Sequence, residues 1–208
     1  MIWDTLANFP LQQLLAFMAG ALVLNLAPGQ DVFFASACGI QNGPRAGALA
    51  GFGVGLGVIC HVAMATVGLG ALVAAHPGAL VAIKYAGAAY LLFLAWKSWN
   101  AGEVDPRARA ASRPWNIIRR GALSNLLNPK PVLFLLAFLP QFTKPEYGPI
   151  WQQILGLGLM FTLSGTLVTM GYGVVGGLAG QVIGKRLGIV NRIAAVMFAG
   201  LALRLVWK

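Results

Sequence analysis

Two ionisable side chains stand beside helix breakers inside long apolar runs. Asp31 closes the stretch Leu24-Asn25-Leu26-Ala27-Pro28-Gly29-Gln30-Asp31, and Lys130 lies in Asn125-Leu126-Leu127-Asn128-Pro129-Lys130-Pro131. An ionised carboxylate in hydrocarbon costs at least about 2.5–3.5 kcal/mol, so one found there usually faces a cavity or a partner. Burial favours the uncharged form of a carboxyl group, which suits Asp31 either to carry a proton or, when charged, to pair with an ammonium. Lys130 sits between two prolines that lack an N–H, where helical hydrogen bonds must be missing. An ammonium beside free backbone groups at the start of a half-helix can seat a carboxylate. Each residue also has a plainer reading. Asp31 could lie at the membrane surface beyond a helix that ends at Gly29, and Lys130 could snorkel to the interface ten residues after Arg120.

Around these charges, Pro28, Gly29 and Pro129 are the breakers that would expose backbone to a ligand. Asn25, Asn125 and Asn128 can hydrogen-bond that backbone or the ligand, or act as structural glue between helices. His61 is the one ionisable group of its apolar segment and is either a proton relay or a structural histidine. No zinc-ligand spacing, catalytic triad or phosphate-binding G-x-x-x-x-G-K-[ST] accompanies them, so neither an enzyme nor an ATP-driven pump is expected, and no metal or cofactor is called for. Two rival readings use the cysteines. In a metal or inorganic cation exporter Cys38, Cys60, His61 and Asp31 would be ligands, but their spacing fits no ligand pattern. A transmembrane thiol-disulfide carrier should place one redox cysteine in each half of the chain, whereas both lie in the first. As small packing residues they need no further role.

The elements that must position these groups follow from composition. Of 208 residues, 58% are hydrophobic and 10% charged, against about 25% charged in a soluble domain. The chain is therefore expected to be an all-α integral membrane protein, and about 20 residues per span allow six transmembrane helices. The net charge of +10 resides mostly between apolar segments, where it reports membrane orientation rather than nucleic-acid binding.

The segments run from about Leu11 to Ile40, Ala46 to Ala75, Ala79 to Trp99, from just after Arg119-Arg120 to Phe142, from Gly148 with no charge until Lys185, and Leu187 to Trp207. The first and fourth are broken at the proline motifs. The fifth is longer than one span needs, so it tilts or its glycine-rich tail unwinds. The amino terminus has no basic residue before the first apolar run, which argues against a cleaved signal. The domain reading is a single transmembrane unit over 1–208: a first three-helix repeat over 1–100, a polar connector over 101–117 and a second repeat over 118–208. With six spans, ten Lys and Arg fall on the connector side and four on the other. The connector is then cytoplasmic and both termini are outside. A five-span arrangement with one re-entrant segment would move one terminus.

Gly20-Ala21-Leu22 precedes Pro28 by eight positions, as Gly121-Ala122-Leu123 precedes Pro129, so the halves align at an offset of 101. Three helices per half is an odd number, so the repeats would be inverted. That arrangement is typical of secondary transporters, whose substrate sites lie near the midplane on broken helices. Gly47-x-x-x-Gly51-x-x-x-Gly55 and Gly176-x-x-x-Gly180-x-x-x-Gly184 give small-residue faces for close helix approach, or for a homodimer.

At these motifs the chain resembles the LysE/RhtB family of amino-acid exporters over nearly its full length. The resemblance rests on Pro28-Gly29-Gln30-Asp31, on Gly43-x-Arg45-x-Gly47 in a glycine-rich second segment, and above all on Asn125-Leu126-Leu127-Asn128-Pro129-Lys130. Gln30 departs from the family's usual Pro-Gly-Pro-Asp. The resemblance implies a bacterial inner-membrane protein that exports amino acids or related metabolites by antiport against protons. Combined with the residues, it places the substrate's amino group or the coupling proton on Asp31 and its carboxylate on Lys130.

Overall fold

A computed structural model of the chain describes residues 9–75, 79–100 and 113–184, together with pairs of helical positions between 192 and 207. Helix α1 spans Leu11–Leu26, α2 Gln30–Asn42, α3 Pro44–Ala75, α4 Ala79–Trp99, α5 Pro114–Leu126, α6 Pro129–Phe138 and α7 Ile150–Gly184. Two 3-10 turns, Leu139–Phe142 and Pro145–Tyr147, join α6 to α7. There is no strand among the described residues.

Local chemistry sets these boundaries. Pro28 lacks an N–H and disfavours the helical conformation in Ala27 before it, so α1 stops there with Ala27 extended. The chain turns by 54° and restarts as α2. That helix ends at Gly43, whose φ of 87° suits glycine, and Pro44 opens α3 at a position where a missing N–H costs nothing. At the second break Asn128 is extended, and its side chain accepts from Lys130 N at 3.0 Å, capping α6. The α5–α6 pair bends by 51°. The proline-glycine and asparagine-proline motifs thus break helices where the sequence indicates.

Two helices, through Pro44–Gly68 and Ile150–Leu178, are long and apolar enough to cross a membrane, and each bent pair could form one further span. The chain is a multi-pass helical membrane protein. Its exposed surface is accordingly apolar, with Leu163, Leu167, Val67 and Trp96 all more than half exposed. Expectations about the amino-terminal eight residues and about connector positions 101–112 lie outside the described residues. The connector's last stretch is helical, because α5 begins at Pro114. The fifth segment is one continuous helix of 35 residues rather than a span with an unwound tail.

Helices α3 and α7 form an antiparallel core pair on their small residues. Gly47 meets the backbone of Gly173, Gly51 that of Met170, and Gly55 the side chain of Thr166, while Gly158 abuts Val62. The short α2 packs on α7 through Gly39 against Gly173 and Gly177, and α5 on α3 through Gly121 against Ala50 O and Gly53 against Ile118. Close backbone approach of this kind drives association where lipid offers no hydrophobic contrast.

At one end of the cavity described below, Phe134 stacks on Phe138 and Phe161 at 4.5 and 5.5 Å, and Phe17 meets Phe142 edge-on at 5.4 Å. These rings tie α1 and α6 to α7. Beyond them Gln153, fully buried, donates to the carbonyls of Lys144 and Gly148 and accepts from Lys144 N, which fixes the turn between α6 and α7.

Candidate functional site at the facing helix breaks

The two breaks meet. Asp31, in the first turn of α2, accepts on Oδ2 from Asn125 Nδ2 at 2.9 Å and from Asn128 Nδ2 at 2.9 Å. Asn125 belongs to the last turn of α5 and Asn128 caps α6, so both donors come from the second break. A hydrogen bond to a charged partner is worth about 1.5–3 kcal/mol, and here two converge on one oxygen. The other carboxylate oxygen, Oδ1, is buried and has no hydrogen-bond partner, as has Asn125 Oδ1.

Lys130 crosses in the opposite direction. Its Nζ donates to Ala27 O at 2.7 Å, a carbonyl freed by the end of α1. The side chain lies over Gly29, where an added Cβ would stand 3.5 Å from Nζ. A cation on the last carbonyls of a helix is favoured by the helix dipole. The neighbouring Leu26 carbonyl accepts from Tyr172 Oη at 3.0 Å. Free amides at the start of α6 are scarcer than the sequence suggests: Pro129 and Pro131 have none, and Asn128 takes that of Lys130.

Asn25 turns away from the second break, donating to Phe161 O at 3.4 Å and to Ser164 Oγ at 3.0 Å on α7. It nevertheless borders the same cavity, with Asp31, Asn125, Asn128, Lys130 and Thr169. The cavity is about 40 Å³, room for two or three waters. Pro28 is buried at the bend, and Gly29 lines the cavity wall.

His61, 2% exposed, approaches Asn125 O at 3.0 Å with Nε2. A carbonyl only accepts, so Nε2 carries the proton, and the buried Nδ1 has no hydrogen-bond partner. His61 therefore holds the turn that presents Asn125 to Asp31.

The residues proposed as ligands in a cation exporter do not gather. Cys38 packs with Ala35, Ala46, Ala50 and Ile117, whereas Cys60 is exposed, which corrects its reading as a packing residue. No group of three His, Cys, Asp or Glu side chains that could hold a metal ion occurs among the described residues.

Several contributors have no motif. Gln30 Nε2 donates to Ser124 O at 3.2 Å and to Ser124 Oγ at 3.1 Å, a second link between the breaks. Its signal was adjacency, since Gln30 precedes Asp31 as Ser124 precedes Asn125. Gly57 lies under Asn125, where a Cβ would meet Asn125 Cβ at 2.7 Å, and Gly165 lies under Asn25. Tyr172 and Thr169 approach from a distant helix, and nothing local in the sequence marks them.

Fold and site define a class: a helical membrane protein with a small, mostly apolar cavity that gathers a few charged and amide groups between two broken helices, the setting in which membrane transport proteins hold their ligands. Comparison identifies the family. The description "LysE type translocator" matches residues 22–208, and the chain belongs to that family. It is 34% identical over 161 residues to a homoserine/homoserine lactone efflux protein of Salmonella typhi, covering 76% of this chain and 77% of that protein. It is 34% identical over 142 residues to a leucine efflux protein of Klebsiella pneumoniae, covering 65% and 66%. An uncharacterized membrane protein of Vibrio cholerae is 32% identical over 191 residues, covering 89% and 92%. No solved structure matches the chain.

Proposed function

We propose that the protein is a secondary exporter of amino acids or amino-acid derivatives, working by proton antiport across the bacterial inner membrane. The observation that carries this reading is the reciprocal crossing of charges. Asp31 of the first break is held by the amides of the second, and Lys130 of the second reaches a carbonyl of the first. A zwitterion presents the complementary pair. Its ammonium goes to Asp31 Oδ1 and its carboxylate to the Lys130 ammonium. The names of the Salmonella and Klebsiella relatives point to the same substrate class.

Antiport follows from one carboxylate serving two cations. Asp31 binds a proton or an ammonium, not both, so a proton arriving from outside releases the substrate there, and a substrate arriving from inside releases the proton. His61, one peptide unit from Asn125 with a bare buried nitrogen, is the second proton-coupling residue. The cavity is too small for an amino acid as it stands, so loading requires the breaks to part, as alternating access requires. In the six-span inverted repeat the connector faces the cytoplasm and both termini the periplasm.

The test is counterflow in proteoliposomes with a panel of labelled amino acids, with and without an imposed proton gradient. Wild-type protein should accumulate at least one of them and respond to the gradient. Asp31→Asn and Lys130→Ala should each abolish gradient-driven transport, and full proton-coupled export by both variants would overturn the assignment.

A further inference from the structure

Two side-chain oxygens of cavity-lining residues lack a donor. Asp31 Oδ1 and Asn125 Oδ1 are both buried without a hydrogen-bond partner, in residues that line it, and Asn125 is wholly buried. The Ala27 carbonyl faces the same region and takes the Lys130 ammonium at 2.7 Å. Three oxygens that only accept line the cavity, the Ala27 carbonyl among them at the carboxyl-terminal end of α1, and they offer a seat for a group with three N–H bonds and a positive charge. Part of that seat is filled by the chain's own primary ammonium, and the space left is about 40 Å³.

We propose that Lys130 is a tethered surrogate for the ammonium of the substrate. In the empty carrier its Nζ sits on Ala27 O and fills the space that a primary-amine ligand takes. The arriving ligand's ammonium displaces it, bonding Ala27 O, Asp31 Oδ1 and Asn125 Oδ1. The released Lys130 is then available to the ligand's carboxylate. This rests on the reading of the cavity as the substrate site, and it adds two features. The seat selects primary ammonium over N-alkylated or acylated nitrogen, because each lost N–H leaves a buried acceptor unpaired. A ligand without a free carboxylate is admitted, because the ammonium alone completes the seat.

Chemical rescue tests the surrogate without requiring transport. Purified Lys130→Ala and the near-isosteric Lys130→Met are unfolded thermally in detergent with ethylammonium, tetramethylammonium or sodium chloride at matched ionic strength. Ethylammonium should raise the unfolding midpoint of Lys130→Ala saturably toward the wild-type value. Tetramethylammonium and sodium should not, wild-type protein should respond less because its own Lys130 ammonium competes for the seat, and adding Asp31→Asn should remove the rescue. Lys130→Met, whose side chain fills the same path without a charge, should fold and respond weakly. Equal effects of all three cations on Lys130→Ala, or an equal ethylammonium effect on wild-type protein, would overturn the proposal. The expected rescue of Lys130→Ala, found together with wild-type protein that exchanges no amino acid, would instead remove the exporter reading and leave the ammonium seat standing.

Discussion

At the scale of single residues, each charge of the candidate site is held by groups from the other break. Asn125 and Asn128 share one oxygen of Asp31 but differ in what else they do. Asn128 also caps α6, whereas Asn125 leaves a free acceptor toward the cavity. Asn125→Ala removes one bond to a charged group, about 1.5–3 kcal/mol, and should weaken substrate affinity in counterflow by about 10- to 100-fold. Asn128→Ala should in addition lower the unfolding midpoint through the lost cap, a cost of about 1 kcal/mol. His61 separates two roles. His61→Gln can keep a donor to Asn125 O but cannot relay a proton, so exchange should persist while the response to a proton gradient is lost. His61→Leu should reduce both. Asp31, Lys130 and the asparagines were legible because polar groups in apolar sequence beside prolines demand partners. Which asparagine serves which partner was not, because Asn25 and Asn125 occupy like surroundings in sequence and face different helices in space.

At the scale of elements, the broken helices were readable from Pro28 and Pro129, since a missing N–H and a restricted preceding residue act locally. The long-range seating was not readable, because it depends on which glycine of one helix meets which residue of another. Gly57 shows the consequence. A methyl group there would press on Asn125 Cβ, Asn125 Oδ1 and Ala122 O at 2.7–2.9 Å and push the amide away from Asp31. Gly57→Ala should therefore depress transport at least about 10-fold, in line with loss of the Asn125 contact. Gly173→Val acts away from the site, at the contact with Gly47. It should destabilise the fold by about 1–3 kcal/mol or more through overpacking, visible as a lower unfolding midpoint in detergent. The glycine-rich tail of α7 stays helical where unwinding was one expectation, because its glycines serve packing: Gly173, Gly176 and Gly177 accept the backbones of α2 and α3 at distances a side chain would forbid.

At the scale of the whole molecule, composition alone marks a membrane protein, and the offset of 101 between the proline motifs anticipates that two halves meet. Span number rests on segment length and orientation on charge asymmetry, and both are properties of the protein in its membrane. A reporter fused within positions 101–112 should be active on the cytoplasmic side and one fused after Lys208 on the periplasmic side. The central claim is that one carboxylate alternates between proton and substrate ammonium. The most direct measurement is amino-acid counterflow and proton-gradient-driven uptake, side by side, in proteoliposomes of wild type and Asp31→Asn. Wild type should show both, with the gradient enhancing accumulation, and Asp31→Asn should lose the response to the gradient and most of its exchange. Undiminished gradient-driven transport by Asp31→Asn would contradict the claim.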